Sequence, residues 1–305
     1  MNYIFLFLAA VFWGGNYVVG RILVEDTNPF LLSALRWLFT AILLTMIYHK
    51  QLRANLTLII GSLRTIACLS ILGQVLFPLT LYIGLQYTTS LNAAVYMSAT
   101  PCVVLVINRL VFNDSVTKAN IFGVIISTVG VLYLLFKGNF LDLEQLADNI
   151  NQGDFWAIGS ALSWAFYCSF LRTKDRRISG YAFVTSSSII GALILIPAVI
   201  GYYLTFDMPP LVVNISQLAN NPNFLLGLAY LVVFPSWLSY LFWHKGIMAL
   251  GATRGEIFTH VIPLSGGIMS IIFLGAPVSY YHLVSALFIL CGIYLCSVKR
   301  PLRTR

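Results

Sequence analysis

The sequence predicts an all-α membrane protein, with ten transmembrane helices arranged as two inverted five-helix repeats. Three observations predict it. The chain has 305 residues, 59% of them hydrophobic and only 9% charged, with a mean hydropathy of +0.87. A soluble domain carries about 25% charged residues, so this chain cannot cover a water-facing surface. The apolar residues fall in long unbroken runs and not in the period-2 alternation of a lipid-facing barrel. The two halves of the chain also resemble each other at a fixed spacing. Together these exclude an ordinary cytoplasmic enzyme, a disordered chain and a nucleic-acid-binding domain. Five Cys in such a length exclude a disulfide scaffold.

A spanning helix needs roughly 20 apolar residues. Ten stretches qualify, at about 3–20, 30–48, 65–85, 91–112, 119–136, 155–171, 181–203, 224–243, 255–274 and 280–298. The first has no basic region before it and no clean small-residue cleavage site after it. It therefore reads as a retained span and not a signal peptide. The domain organisation that follows is a first five-helix repeat at 1–138, an external loop at 139–153 and a second repeat at 154–305.

The net charge of +8 sorts by side. With ten spans and both termini cytoplasmic, fifteen of the eighteen basic residues lie inside, among them Lys50, Arg64, Arg109, Arg172, Arg254 and Arg300. The outside collects Glu25, Asp26, Asp142, Glu144, Asp148, Asp154 and Asp207. One span more or fewer scrambles this pattern. The charge thus describes orientation, and no nucleic-acid partner is needed to explain it. The Lys174-Asp175-Arg176-Arg177 cluster reads as a headgroup anchor. The bacterial inner membrane is the expected location.

The repeat follows two offsets. At 162, Gly84, Pro101, Val116 and Gly130 meet Gly246, Pro263, Val278 and Gly292. At 151, Ala10, Trp13 and Arg21 meet Ala161, Trp164 and Arg172. The eleven-residue difference is a change of loop length. Five spans is an odd number, so the second half enters the membrane from the opposite side. Inverted repeats of this kind characterise secondary transporters.

The residues also resemble the drug/metabolite transporter superfamily, in its EamA-type ten-helix branch. Trp13-Gly14 matches the Trp-Gly of the first span, and Arg36 the Arg of the second. The stretch Gly84-Leu85-Gln86-Tyr87-Thr88, then Ala93-Ala94 and Pro101, matches a third motif, and Gly130-Val131-Leu132 the end of the fifth span. The second half repeats these in Ser163-Trp164-Ala165, Ala249 through Thr253, Pro263 and Gly292. The Gly-Glu that the family often carries before the fifth and tenth spans is replaced by Asn113-Asp114 and Ala276-Pro277. The resemblance implies efflux of an amino acid or related metabolite.

Polar and amphipathic side chains deep in the spans are the pointers to a site. The candidate cavity residues are Trp13, Asn16, Tyr17, Gln74, Tyr82, Asn92, Tyr96, Trp164, Tyr167, Trp237, Tyr240 and His260. Aromatic walls with a few hydrogen-bonding groups suit an amphipathic solute. Trp243, Tyr48, Tyr181 and Tyr203 read instead as interfacial belts. Pro101 and Pro263, at equivalent points of the two halves, are the expected helix kinks. Ionisable groups inside a span are costly and therefore informative. Arg36 is expected to pair with Glu25 or Asp26. Glu256 and His260, one turn apart on a shared face, are the candidates for proton coupling.

There is no nucleotide-binding loop, no metal-ligand spacing and no catalytic triad, so no cofactor, metal or enzymatic reaction is expected. The expected partners are a small-molecule substrate and the lipid bilayer, and a monomer satisfies the sequence. The alternatives are a membrane-embedded enzyme acting on lipid and a passive solute channel.

Overall fold

The computed structural model describes residues 1–136, 138–139, 151–206, 209–274 and 279–297, with the side chains of 91, 92, 135, 270–274 and 297 outside that description. The expectations that rest on Lys137, Asp142, Glu144, Asp148, Asp207, Ala276-Pro277 and the basic C-terminal residues from Lys299 onward therefore lie outside the described residues, as does most of the 139–153 loop.

The described chain is helical, with no strand among its described residues. The helices are α1 (Asn2–Asp26), α2 (Pro29–Ala54), α3 (Leu63–Tyr87), α4 (Ser90–Met97), α5 (Thr100–Val111), α6 (Lys118–Leu135), α7 (Gln152–Phe170), α8 (Gly180–Thr205), α9 (Leu211–Ala219), α10 (Pro222–Leu250), α11 (Val261–Leu274) and α12 (Tyr280–Ser297). Among the described residues, six helical stretches are long and apolar enough to cross a membrane: Asn2–Asp26, Pro29–Ala54, Leu63–Tyr87, Ala93–Val111, Gly180–Thr205 and Pro222–Leu250. Lys118–Leu134 and Tyr280–Cys296 are shorter apolar helices.

Helix starts follow ordinary capping chemistry. Asn28 caps α2 by accepting from the Leu31 N–H, Ser179 caps α8 through the Ala182 N–H, and Thr117 and Asn120 form a capping box on α6. The eleven-residue difference between the offsets falls between α8 and α10, where α9 lengthens the connection. A six-residue helix, Leu56–Gly61, is its short counterpart between α2 and α3.

Small residues set the packing, as they must where lipid removes the hydrophobic drive between helices. The closest pair is α6 with α12. A methyl group on Gly123 would lie 2.7 Å from the Gly292 carbonyl oxygen, and one on Gly130 would lie 3.0 Å from that of Ser285. One index rises as the other falls, so the two helices run antiparallel. The α2–α8 pair is antiparallel as well. Phe30 stacks on Tyr202 at 4.7 Å near one end, and Tyr48 on Tyr181 at 4.8 Å near the other. Helix α1 packs on α10 and α11, while α7 packs on α3, α4 and α5.

Both kinks differ in form from the expected bend at proline. The chain breaks before Pro101, which opens α5 as a helix-starting proline. In the other half, Glu256–His260 is a 3-10 segment that ends before Pro263. Two further irregularities were not expected. π-helical turns occupy Ile71–Leu76 in α3 and Val232–Leu238 in α10. At the 162 offset these occupy matching places, although Pro78 and Pro235 do not.

Candidate functional site

The middle of the bundle is filled by aromatic rings from α1, α2, α3, α7 and α10. Trp13 meets Trp164 at 4.8 Å, Trp243 at 5.0 Å and Tyr240 at 5.8 Å between centroids. Trp164 also contacts Phe77 at 4.9 Å and Tyr167 at 5.0 Å, and Tyr240 contacts Trp37 at 5.2 Å. All seven rings are buried. Most pairs are edge-to-face or tilted, the arrangement that adds about 0.5–1.5 kcal/mol per pair beyond burial. Of the predicted cavity residues, Trp13, Trp164, Tyr167 and Tyr240 thus come together, packed on one another. Trp243 belongs with them, so the interfacial reading of that residue is corrected. Its position in the second half of α10, past the π turn, carries it inward.

The π turns supply the acceptors that hold this cluster. A π turn lengthens the backbone ladder and turns carbonyls toward neighbouring helices. The Trp13 indole N–H donates to the Pro235 carbonyl at 2.9 Å, and the Tyr240 hydroxyl donates to the Gly73 carbonyl. Gly73 and Pro235 are equivalent at the 162 offset. Tyr167 lies directly over Gly73, where any Cβ would strike its ring.

Beside the rings lies Arg36, fully buried. Its Nε donates to the Ser236 hydroxyl at 2.6 Å, and its Nη1 to the Asn16 Oδ1 at 2.9 Å and the Tyr82 hydroxyl at 2.7 Å. Tyr82 in turn donates to the Asn16 Oδ1 at 3.1 Å, and Ser236 to the Leu231 carbonyl at 2.7 Å. The expected pairing with Glu25 or Asp26 is corrected. Glu25 pairs with Arg21 at 3.1 Å, and Asp26 accepts from Asn221. Both acids sit at the exposed end of α1, more than two turns from the level of Arg36. Tyr17 is buried beside Tyr82. Gln74 donates to the Ser187 hydroxyl at 3.3 Å.

Glu256 and His260 are also fully buried. The expected shared face is corrected, because a 3-10 segment turns three residues per turn and sets i and i+4 about a third of a turn apart. Glu256 faces Trp164 and Cys168. His260 Nε2 meets the Ser98 carbonyl at 2.8 Å, while its Nδ1 has no partner.

The remaining predicted residues lie apart. Trp237 is half-buried against Tyr48, to whose hydroxyl it donates at 3.2 Å. Tyr96 is half-buried on α4 and faces Asp154. Asn92 lies on α4 with its side chain outside the described residues. Pro101 and Pro263 border the breaks described above.

A cleft of about 290 Å³ enters from the end of the bundle where the basic loops gather, lined by Asp114, Cys168, Arg172, Thr253 and Arg254 among others. Arg172 pairs with Asp114 at 2.7 Å, and the Asn108 amide donates to Thr253 at 2.9 Å. At its depth the cleft reaches Cys168, which touches both Trp243 and Glu256. The headgroup reading of the basic cluster is corrected for Lys174, which is buried and donates to the Asp175 and Ile178 carbonyls. That burial lowers its pKa, while Arg177 holds the Asp175 carboxyl down at about 2. Among the described residues no cluster of three metal-ligating groups occurs.

Sequence reasoning missed Trp37, Ser236, Trp243 and Cys168. Ser236 carried a signal in its place beside Pro235 within an apolar span. Cys168 carried none, since a small apolar residue on α7 has the same pattern whether it packs or lines a cleft.

The comparisons with known proteins agree with this architecture. A profile of the EamA-like transporter family matches residues 1–136 and 151–298. The uncharacterized transporter YyaM of Bacillus subtilis is 26% identical over 97% of this chain and 93% of its own length. YetK of the same organism, also named an uncharacterized transporter, is 24% identical over 98% and 87%. The uncharacterized inner membrane transporter YicL of Salmonella typhimurium is 22% identical over 98% and 95%. A solved crystal structure aligns with a TM-score of 0.69 and 14% identity, over 97% of this chain and 96% of that one, and shares the fold. This is a multi-pass membrane transporter, and the chain belongs to the EamA-like transporter family.

Proposed function

We propose that this chain is a secondary transporter that moves a small amphipathic metabolite, an amino acid or related compound, outward across the bacterial inner membrane by alternating access. It does so with ten transmembrane helices in two inverted repeats, 1–138 and 154–305, joined by the 139–153 loop, with both termini cytoplasmic. One observation carries the reading. At the 162 offset Gly123 is equivalent to Ser285, and Gly130 to Gly292. The contacts Gly123–Gly292 and Gly130–Ser285 are therefore one contact made twice, as a two-fold axis requires. Because α6 and α12 are antiparallel, that axis lies across the helices, in the plane of the membrane.

Further contacts support the same axis. Gly84 lies against the Ala157 backbone nitrogen, and at the equivalent place Gly246 lies against the Leu6 side chain. Ser160 donates to the Phe77 carbonyl at 2.9 Å. At the equivalent place Ser239 donates to the Ala9 carbonyl at 3.2 Å. Two equivalent pairs touch each other, Trp13 with Trp164 and Ser98 with His260, as residues on the axis do. The aromatic cluster thus sits where the repeats meet, and the cleft at the basic end reaches toward it. Exchange of the two repeats' conformations closes that cleft and opens its counterpart on the other side.

Reconstituted vesicles test this. Vesicles preloaded with a mixture of unlabelled L-amino acids and offered the labelled mixture outside should show saturable counterflow. Flux that rises linearly with concentration assigns a channel, and chemical alteration of an added phospholipid assigns an enzyme.

A further inference from the structure

Arg36 is a buried cation whose hydrogen-bond partners carry no charge. Its three hydrogen-bond partners, Asn16, Tyr82 and Ser236, are all neutral. Among the described residues no carboxylate comes within ion-pair reach of it, and Glu25 and Asp26 are engaged elsewhere. Among the described residues its Nη2 has no partner, and neither has the Asn16 amide nitrogen. Two buried donors on adjacent side chains therefore stand without acceptors. A guanidinium spreads its positive charge over five N–H donors in a fixed fork, and here that fork is only partly filled. Folding it without a counterion is costly, and a chain keeps such an arrangement where something else supplies the anion.

We infer that Arg36 and Asn16 form the receptor for a carboxylate on the transported solute. The unpartnered Nη2 and the Asn16 amide offer two N–H groups to the two oxygens of one carboxylate. Tyr82 holds the pair in register by bonding to both. The aromatic cluster begins next to it, with the guanidinium carbon 5.3 Å from the Trp37 ring centre and Trp37 against Tyr240. A solute with a carboxylate at one end and an apolar body at the other matches that sequence of surfaces. The equivalent position in the second half is Ser187, bonded to Gln74, and is neutral. The equivalent place in the second half therefore offers no matching receptor.

This inference rests on the transporter reading above. The test is ligand-induced thermal stabilisation of the purified full chain in micelles, with matched probes: L-phenylalanine and L-leucine, their amides, phenylacetate and 2-phenylethylamine. The expected result is that the carboxylates stabilise at concentrations at least tenfold lower than the matched amides or amine. Arg36→Gln should abolish that preference and Arg36→Lys retain part of it. Amides acting as well as acids, or no carboxylate acting at all, overturns the inference in the wild-type protein without recourse to a variant. So does an Arg36→Gln protein that still prefers acids. Should Arg36→Gln not fold, Tyr82→Phe, which keeps the ring, should narrow the acid preference several-fold, and an unchanged preference overturns the inference. Vesicle counterflow separates the two readings. Saturable flux of amines with no acid preference defeats the carboxylate receptor alone, whereas no saturable flux of any probe defeats the transporter.

Discussion

Two places in this molecule occupy equivalent positions and hold unlike chemistry. On one side Arg36 donates to Ser236. On the other, at the same offsets, Ser187 faces Gln74. The first is a short, charge-assisted bond within a four-residue network. The second is a long bond between neutral groups. The backbone frame around both is shared, with π turns at Ile71–Leu76 and Val232–Leu238 bringing Gln74 and Ser236 to their partners. The difference teaches that the repeat supplies geometry and leaves the chemistry free. Matching backbone keeps the two places alike in frame, while unmatched side chains make them unlike in chemistry.

The largest effect should come from breaking the shared frame. A methyl group at Gly292 would collide with the Gly123 carbonyl and lie 2.6 Å from the Ser127 Cβ. Backbone cannot yield as a flexible side chain does, so Gly292→Ala should cost about 1–3 kcal/mol and lower the melting temperature in micelles. Gly159→Ala, where a methyl group meets nothing within 4 Å, is the matched control and should leave it unchanged or raise it slightly, because alanine favours helix over glycine by about 1 kcal/mol. Equal melting temperatures for the two variants would remove α6–α12 from the frame.

Next come the two unlike sites. Hydrogen bonds to a charged group contribute about 1.5–3 kcal/mol and neutral ones about 1. Arg36→Ala should therefore lower counterflow roughly ten- to a hundred-fold, and Gln74→Ala only a few-fold. Similar losses in both would show the halves to be functionally alike.

Glu256 tests the comparison along another line, since its equivalent, Ala94, is not ionisable. If Glu256 carries coupling protons, Glu256→Gln should flatten the dependence of flux on pH between 5 and 8. A profile identical to wild type would remove it from coupling. His260→Ala tests the second candidate in the same assay. Asp175 does not confuse this measurement. Its carboxyl is held near 2, below the ordinary 3.8, so its contribution is present above that value and is lost only as the pH falls toward 2.

The smallest effect belongs to the cleft mouth. The Arg172–Asp114 pair is partly exposed on both sides. Such pairs contribute about 0–1 kcal/mol, so Asp114→Asn should change flux less than about two-fold, measured in the same vesicles.

Much of this was legible in the sequence. The apolar runs mark where helices form, because a backbone in lipid must satisfy its own hydrogen bonds and a helix does so locally. Gly84, Gly130 and Trp13 stand out in the sequence with residues at fixed offsets from them, because close approaches constrain residue size wherever they occur. Trp13, Trp164, Tyr167 and Tyr240 were found by their depth in the spans. Arg36 was flagged by its charge, but its partners were misassigned. Sequence proximity pointed to Glu25 and Asp26, whereas Ser236 lies two hundred residues away. Glu256 and His260 were set on one face by assuming α-helical turns, and the 3-10 segment rotates them apart. The π turns left no proline signature shared by both halves.

The sequence by itself determined that the chain lives in lipid and roughly where its helices form. Those properties follow from local transfer energies and from residue size, which single positions and their spacing express. Only the tertiary structure decided which rings close the centre, which carbonyls the π turns present to them, and which neutral groups surround Arg36. Those outcomes depend on contacts between distant segments and on departures from regular helix, and no local pattern fixes either.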